Sequence, residues 1–167
     1  WAQGFPARPV KLVVPLAPGG ATDIAARVLA ERIGPHLGQP MIVENRGGAG
    51  HNIAATQVMK ADPDGHTLLS SETGFSTVQP HLHAKGKLPF DAEKDFIPVT
   101  KAGGSPNSWL VNPEFPAKTM KELIDIFKRD PGKHSVGSPG AGTTPSLTIE
   151  MLKHELGLNF VTVPFAG

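Results

Sequence analysis

The 167-residue sequence contains no cysteine and no tyrosine, and neither sign of charge dominates it. Without cysteine the chain has no disulfide, no zinc–thiolate site, no iron–sulfur cluster and no cysteine nucleophile. The absence of tyrosine excludes acid–base chemistry by a phenol. A net charge of +1 removes the electrostatic case for nucleic acid or an anionic membrane surface as a partner. No apolar stretch approaches the ~20 residues of a membrane-spanning helix.

The first hundred residues have the hydrophobic pattern of a mostly parallel α/β sheet. Short apolar runs rich in β-branched residues predict strands, and apolar residues at helical spacing predict the helices between them. These elements alternate at residues 10–15, 22–37, 41–44, 52–60, 66–70 and 73–83. The face expected to be buried in the first helix is formed by Ile24, Val28, Leu29, Ile33 and Leu37. The order βαβαβα is typical of a parallel sheet with right-handed crossovers, and we assign residues 1–101 to a first lobe.

The second part of the chain restarts the same pattern. We expect strands at residues 96–100, 108–111, 135–138 and 160–163 and helices at 119–130 and 144–156. A Thr119-x-x-Glu122 capping box begins the first of these helices, and Gly157 ends the second. The glycine-rich stretch 101–106 is the candidate hinge. Residues 102–167 then form the start of a second lobe, and its small core leads us to expect that further sequence completes it.

Two glycine loops, each between a predicted strand and a predicted helix, are the best candidates for binding chemistry. They span residues 15–23 and 138–146. Backbone N–H groups at a helix N-terminus bind anions, and glycine lets a ligand approach the backbone closely. Alternatively, each loop is a plain turn that ends in a helix cap, and in the first loop Thr22 or Asp23 would be that cap. Neither loop is a dinucleotide or P-loop motif. An anion held between two lobes would explain both loops together.

The remaining polar residues suggest no catalytic centre. Glu72 follows the third strand and is either a surface acid or a partner for a cationic ligand group. Arg46 either clamps a carboxylate or is a solvated loop residue. The sequence has no nucleophile elbow and no histidine pair at metal-ligand spacing. Four histidines are isolated and expected at the surface: His36, His66, His134 and His154. Anion donors without a catalytic constellation favour a binding protein over an enzyme.

Several motifs in fixed order give the chain a resemblance to a known family. They read VPLAPGGATD at residues 14–23, VENRGGAG at 43–50, PDGHTLL at 63–69 and VPFAG at 163–167. With them the sequence resembles the Bug/TctC family, the extracytoplasmic solute-binding receptors of tripartite tricarboxylate transporters. The resemblance runs from about Phe5 to the last residue. Family members are considerably longer, which implies that this chain is an N-terminal portion.

The resemblance implies a type II-like periplasmic binding protein fold, an α/β fold of two lobes that close on a ligand. The ligand would be a small organic carboxylate, the partners the membrane components of the transporter, and no cofactor, metal or nucleic acid is implied. The location would be the periplasm of a Gram-negative bacterium, with the signal peptide already removed. The implied ligand-binding residues are Leu16, Ala17, Gly19, Gly20, Thr22, Asp23, Glu72, Thr73, Gly74, Ala141, Gly142, Thr143, Thr144 and Phe165.

The sequence also departs from the family pattern. Ser146 stands where the family often has a histidine, and Phe165-Ala166-Gly167 replaces the usual aromatic-Lys-Gly. Glu72 would repel a second ligand carboxylate, which disfavours a plain dicarboxylate. Two alternatives stay open: an α/β enzyme that uses the glycine loops as an oxyanion or phosphate site, and a ligand sensor without a transport role. An open sheet edge would also let two copies of the chain associate.

Overall fold

The computed structural model describes residues 4–84, 87–104 and 106–165. The elements alternate as strands and helices through most of the chain. They are β1 (Val10–Val14), α1 (Ala21–Leu37), β2 (Met41–Asn45), α2 (Asn52–Met59), β3 (Thr67–Leu69), α3 (Thr73–Thr77), α4 (Gln79–Leu82), α5 (Met120–Arg129), β4 (Ser135–Ser138), α6 (Thr144–Leu156) and β5 (Val161–Pro164). Every strand pair is parallel, which confirms the predicted α/β class.

The first sheet has the order β2-β1-β3, with the most apolar strand in its centre. Val10 of β1 pairs with Met41 of β2, and Lys11 pairs with Thr67 of β3. Leu12 and Val14 pack against α1 on one face, while Ala55, Phe75 and Phe90 form a second core nearby. A β-branched apolar run suits this position because both faces of a central parallel strand are buried.

Helix α1 buries a different face from the one that the sequence predicted. Ile24 is 56% exposed and Val28 is also exposed, whereas the buried residues are Asp23, Ala26, Ala30 and Gly34. The remaining three residues of the predicted face are half-buried. Small side chains let the helix axis approach the sheet closely, so packing of backbone against strand decides the buried face here. The positions of the large apolar side chains therefore did not predict which face of α1 is buried.

The predicted helix at residues 73–83 is two short helices. α3 and α4 meet at Val78, and Pro80 occupies the first turn of α4. Proline has no N–H to donate to the preceding turn, so it ends one helix and begins the next. Phe75 packs here on two other aromatic rings, with centroid distances of 5.1 Å to Phe90 and 5.2 Å to Phe96.

The strands predicted at residues 96–100 and 108–111 do not form. Both segments have irregular backbone, and Ile97 and Leu110 are each 89% exposed. A strand needs a neighbour to take up its N–H and C=O groups, and no strand of the described residues lies beside either segment. The hinge candidate between them is irregular and exposed at residues 101–104 and 106, while Ser105 lies outside the described residues.

The second half contains its own sheet and core, as the sequence predicted. β4 and β5 pair in parallel, and the Thr119–Glu122 capping box at the start of α5 is formed in both directions. α6 ends at Gly157, whose φ of +62° is the left-handed conformation expected of a C-terminal glycine. The core of this half comprises Ala117, Leu123, Ile126, Phe127, Ile149, Leu158 and Phe160.

Two of the four histidines expected at the surface are not there. His66 is 6% exposed, contacts the ring of Phe5 and accepts a hydrogen bond from the Ala7 N–H. His134 is half-buried between Phe115 and Phe127. An imidazole packs well on aromatic rings, which explains the burial of both.

Across residues 4–84, 87–104 and 106–165, no helix is long and apolar enough to cross a bilayer.

Candidate functional site

A cavity of about 680 Å³ opens where strands from both sheets end. Leu16 follows β1, Ala141 follows β4, and Phe165 follows β5; all three line it. Carboxyl ends of parallel strands are where open α/β sheets bind ligands, and the volume is in the usual range for a small-molecule site. The complete lining is Pro15, Leu16, Gly48, Ala49, Gly50, His51, Asn52, Gln79, Leu82, His83, Pro139, Gly140, Ala141, Pro164 and Phe165.

Next to this cavity the two halves of the chain touch through backbone atoms. A Cβ built on Gly74 would lie 2.8 Å from the carbonyl oxygen of Gly142 and 3.1 Å from the amide nitrogen of Thr144. A Cβ on Gly50 would lie 2.6 Å from the carbonyl oxygen of Ala141. Glycine is therefore required at both positions for this approach. The structure thus brings the first turn of α3 and the turn before α2 against the loop after β4.

Asp23 holds the first glycine loop in shape. It is 2% exposed, and its Oδ2 accepts hydrogen bonds from the Gly19 N–H at 2.9 Å and from Arg27 Nε at 3.0 Å. Asn45 Nδ2 donates to Asp23 Oδ1 at 2.9 Å and also to the Leu16 carbonyl oxygen. Hydrogen bonds from Arg27, Gly19 and Asn45 lower the pKa of Asp23 to about 2. Its oxygens are therefore occupied by the protein itself.

The start of α1 carries no side-chain cap. Gly20 is the N-cap residue and no side chain accepts a hydrogen bond from the first turn. The prediction that Thr22 or Asp23 caps this helix is therefore wrong, because Asp23 accepts a hydrogen bond from the Gly19 N–H instead. Ala17, Gly20 and Thr22 lie in this loop and first turn, next to Leu16 but outside the cavity lining.

Thr143 performs the same structural task in the second glycine loop. Its Oγ1 donates to the Gly140 carbonyl oxygen at 2.9 Å and accepts from the Ser146 N–H at 3.3 Å, which caps α6. Because this hydroxyl proton is given to a carbonyl, no base is paired with it as a nucleophile would require. Gly142 and Thr144 pack against Gly74 and do not line the cavity.

Two charged residues singled out in the sequence lie away from the cavity wall. Glu72 is half-buried at the start of α3 and Thr73 next to it is exposed, and neither lines the cavity. Arg46 forms an ion pair with Glu44 at 2.6 Å. Hydrogen bonds from Lys11, Arg46 and Gln57 lower the pKa of Glu44 to about 2. Arg46 therefore belongs to a surface charge cluster on the first sheet.

The polar wall of the cavity was missed by sequence reasoning. Gln79 is 1% exposed; its Nε2 donates to the Gly50 carbonyl oxygen at 2.6 Å and its Oε1 lies 3.1 Å from His83 Nε2. His51 and Asn52 complete this wall. His51 ends the glycine-rich loop after β2 and Asn52 begins α2, so the position of this loop at a strand end was the available signal. Gln79 and His83 come from α4, which carried no signal of this kind.

His51 is buried with unsatisfied ring nitrogens. It is 3% exposed, and within the described part of the chain neither Nδ1 nor Nε2 has a hydrogen-bond partner; the same holds for the buried Oδ1 of Asn52. Burial lowers the pKa of His51, and the negative charge of Glu72 opposes that shift. No aspartate, glutamate, lysine or arginine lines the cavity, and the described residues contain no cluster of metal-ligating side chains. A bound ligand would therefore meet no carboxylate, ammonium or guanidinium side chain in this lining.

Comparison with known proteins gives a single family. The model of the tripartite tricarboxylate transporter family receptor, TctC, matches residues 25–167. A UPF0065 protein of Bordetella pertussis is 44% identical over 167 residues, which cover 99% of this chain and 50% of that protein. The chain spans about half the length of the curated relatives it matches.

Solved structures agree with the family match. The periplasmic binding protein BugD is 36% identical with a TM-score of 0.81, and an R. palustris protein solved with adipate is 32% identical with a TM-score of 0.91. Each comparison covers 98% of this chain and 54% of the other. The fold is thus that of periplasmic binding proteins, over about half of their length. The chain belongs to the family of tripartite tricarboxylate transporter receptors.

Proposed function

We propose that the protein is an extracytoplasmic solute-binding receptor that captures a small organic carboxylate for a tripartite tricarboxylate-type transporter, without a chemical step. The observation that carries the proposal is the cavity at the strand ends, lined by loops from both halves of the chain. Membership of the receptor family supports it. The adipate bound to a related structure makes a carboxylate the first ligand class to test.

The geometry suggests how a carboxylate would be held. With no lysine or arginine in the lining, its charge would be balanced by backbone N–H groups of the loops after β1 and β4. The uncapped first turn of α1 lies outside the lining, and its contribution would be the positive end of the helix dipole. Asp23 would keep the first loop in register, so its role would be positioning. The remaining residues implied by the family pattern would support these loops or tune ligand choice.

The proposal extends to location and partners. A receptor of this kind would act in the periplasm and deliver its ligand to the membrane components of the transporter. The two lobes would divide near residue 101, within the exposed irregular segment that separates the two cores. Self-association of the chain would use the exposed apolar residues of this segment, Ile97, Val99, Leu110 and Val111.

Thermal unfolding with a carboxylate panel tests the proposal. The panel contains citrate, succinate, adipate, glutamate, nicotinate and terephthalate, with phosphate as the non-carboxylate anion. A ligand at ~100 times its Kd adds about 2.7 kcal/mol, which for a chain of this size raises Tm by about 5–11 °C. A Tm increase with one carboxylate class is expected, and no increase with any member would contradict the proposal. Recovery of the ligand unchanged separates binding from turnover.

A matched pair of variants links the binding to the cavity. Ala141→Glu places a carboxylate in the cavity wall at an exposed position, so the chain should fold and lose the ligand-induced Tm increase. Ala25→Glu adds the same charge on the exposed face of α1 and should keep that increase. Equal ligand affinity in both variants would place the binding site elsewhere.

A further inference from the structure

Gln79 is a buried polar side chain at a point where three segments of the chain meet. It is 1% exposed and lies between the turn before α2, which carries Gly50, and the loop after β4, which carries Gly142. Gln79 and Gly50 belong to the first half of the chain, and Gly142 belongs to the second. Burial of an amide is costly unless its polar atoms are bonded, so the partners of this side chain show what holds it there.

The hydrogen bonds of the Gln79 side chain stay within the first half of the chain. Its Nε2 donates to the Gly50 carbonyl oxygen at 2.6 Å, and its Oε1 lies 3.1 Å from His83 Nε2. An amide oxygen can only accept, so His83 Nε2 is the donor in the second pair. Both ends of the amide are therefore fixed by residues of the first half, and the amide forms a rigid part of its surface.

The second half of the chain meets this amide by close packing. A Cβ built on Gly142 would overlap Nε2 of Gln79 and would lie 2.6 Å from its Cδ. Gly142 also has a φ of +86°, a conformation that strains a residue with a side chain. Glycine is therefore required at position 142 to receive Gln79, independently of any ligand that the loop binds.

This combination of bonds and packing has a mechanical consequence. Separating two surfaces that share a hydrogen bond leaves both partners unpaired until water replaces the bond. The second half can move away from Gln79 without that cost, because both bonds of the amide remain in the first half. When the halves return, repulsion between Gln79 and Gly142 at van der Waals distance limits their approach.

We propose that Gln79 is the steric stop that sets how closely the two lobes approach, and with it the spacing of the two glycine loops beside the cavity. The inference rests on the proposed function, since capture between lobes requires them to part and to close. Gln79 is then a positioning residue that acts through Gly142 and the loop after β4, and it needs no contact with the ligand.

A double-mutant cycle on Gln79 and Gly142 tests the contact without any ligand. Gly142→Ala introduces both backbone strain and the collision, and should lower Tm by about 4–16 °C. In a Gln79→Ala background the collision is gone, and the same substitution should lower Tm by about 2–4 °C. Gly157→Ala is the control, because Gly157 has a φ of +62° and no atom lies within 4 Å of a Cβ built there. Its Tm loss should be equal in both backgrounds.

Distances between spin labels test whether this contact sets the arrangement of the lobes. The chain has no cysteine, so Arg32→Cys on α1 and Lys128→Cys on α5, both at exposed positions, place one label in each half. Gly142→Ala should change the distance between the labels, because the loop must yield by about 1 Å to restore an ordinary contact. Gln79→Ala should cancel that change. Gln57→Ala removes the same amide elsewhere in the first half and should leave the distance unaltered.

The outcomes separate this inference from the proposed function. An equal Tm loss for Gly142→Ala in both backgrounds overturns the contact. A label distance that Gly142→Ala does not change, or a change that Gln79→Ala does not cancel, overturns the steric stop. Either result leaves the receptor function standing, because neither measurement uses a ligand. If Gln79→Ala does not fold, Gln79→Asn replaces it, since its amide is one methylene further from Gly142. Failure of the carboxylate panel alone overturns the proposed function and not the stop.

Discussion

Replacing Gly74 with alanine should push the two halves of the chain apart. The new Cβ would lie 2.8 Å from the Gly142 carbonyl oxygen and 3.3 Å from the Thr143 Cα. A relaxed carbon–oxygen contact is about 3.3–3.6 Å, so the loop must move by about 0.5 Å. The atoms in the way belong to backbone and cannot rotate aside. Overpacking of this kind costs about 1–3 kcal/mol.

Alanine is at the same time the better helix former at this position. It recovers about 0.5–1 kcal/mol in α3, which leaves a net loss of about 1 kcal/mol. For a chain of this size the loss lowers Tm by about 2–4 °C, measurable by circular dichroism. Affinity for any ligand of the cavity should fall as well, because the loop after β4 forms part of its wall.

Gly103→Ala is the control in the exposed irregular segment. No atom lies within 4 Å of a Cβ built there, and no left-handed backbone is involved. The loss of chain entropy in the unfolded state then stands alone, and Tm should rise by about 1–4 °C. An increase in Tm for Gly74→Ala equal to that of Gly103→Ala would refute the close backbone contact between the two halves.

Three further predictions concern stability. The free energy of unfolding should decrease in two pH ranges. Below about pH 6.5 the unfolded chain binds a proton at His51 more readily than the folded chain does. As pH falls from about 4 toward 2, protonation removes the charged carboxylates that the fold stabilises, which are Asp23, Glu44, Asp64 and Asp130. Urea unfolding across pH measures both, and His51→Asn should remove the upper decrease alone. Thr119→Ala should cost about 1 kcal/mol by deleting the α5 cap while Thr119→Ser costs little; equal losses would argue against the cap. Phe127→Ala should cost about 3–5 kcal/mol in the second core, and a loss under about 1 kcal/mol would contradict its burial there.

Local sequence signals predicted most of the fold. The apolar runs gave the strands of both sheets, and capping residues such as Thr119 and Gly157 gave helix boundaries, because these signals act within a few residues. The strands predicted at 96–100 and 108–111 failed because pairing depends on distant chain that a local pattern does not report. The face of α1 failed for a related reason: contact with the sheet favoured Ala26 and Ala30 over larger residues.

The sequence predicted only part of the candidate site. The glycine loops could be found because glycine between a strand and a helix marks a close approach of backbone, and Leu16, Ala141 and Phe165 from these strand ends do line the cavity. The separate functions of Asp23 and Thr143 depend on which groups they face after folding. Burial of His51 without a partner is likewise a property of the assembled structure, so no spacing in the sequence indicated it.

The separation of the two sheets along the chain has a consequence for biosynthesis. All three strands of the first sheet lie between Val10 and Leu69, and no strand from the described residues of the second half enters it. These three strands can therefore pair with one another on the ribosome before β4 has been translated. Parallel pairs form slowly because each must close a loop around a helix. Pairing of these strands can thus begin before the later strands are synthesised, and β1 is already paired when they emerge, which reduces mispairing.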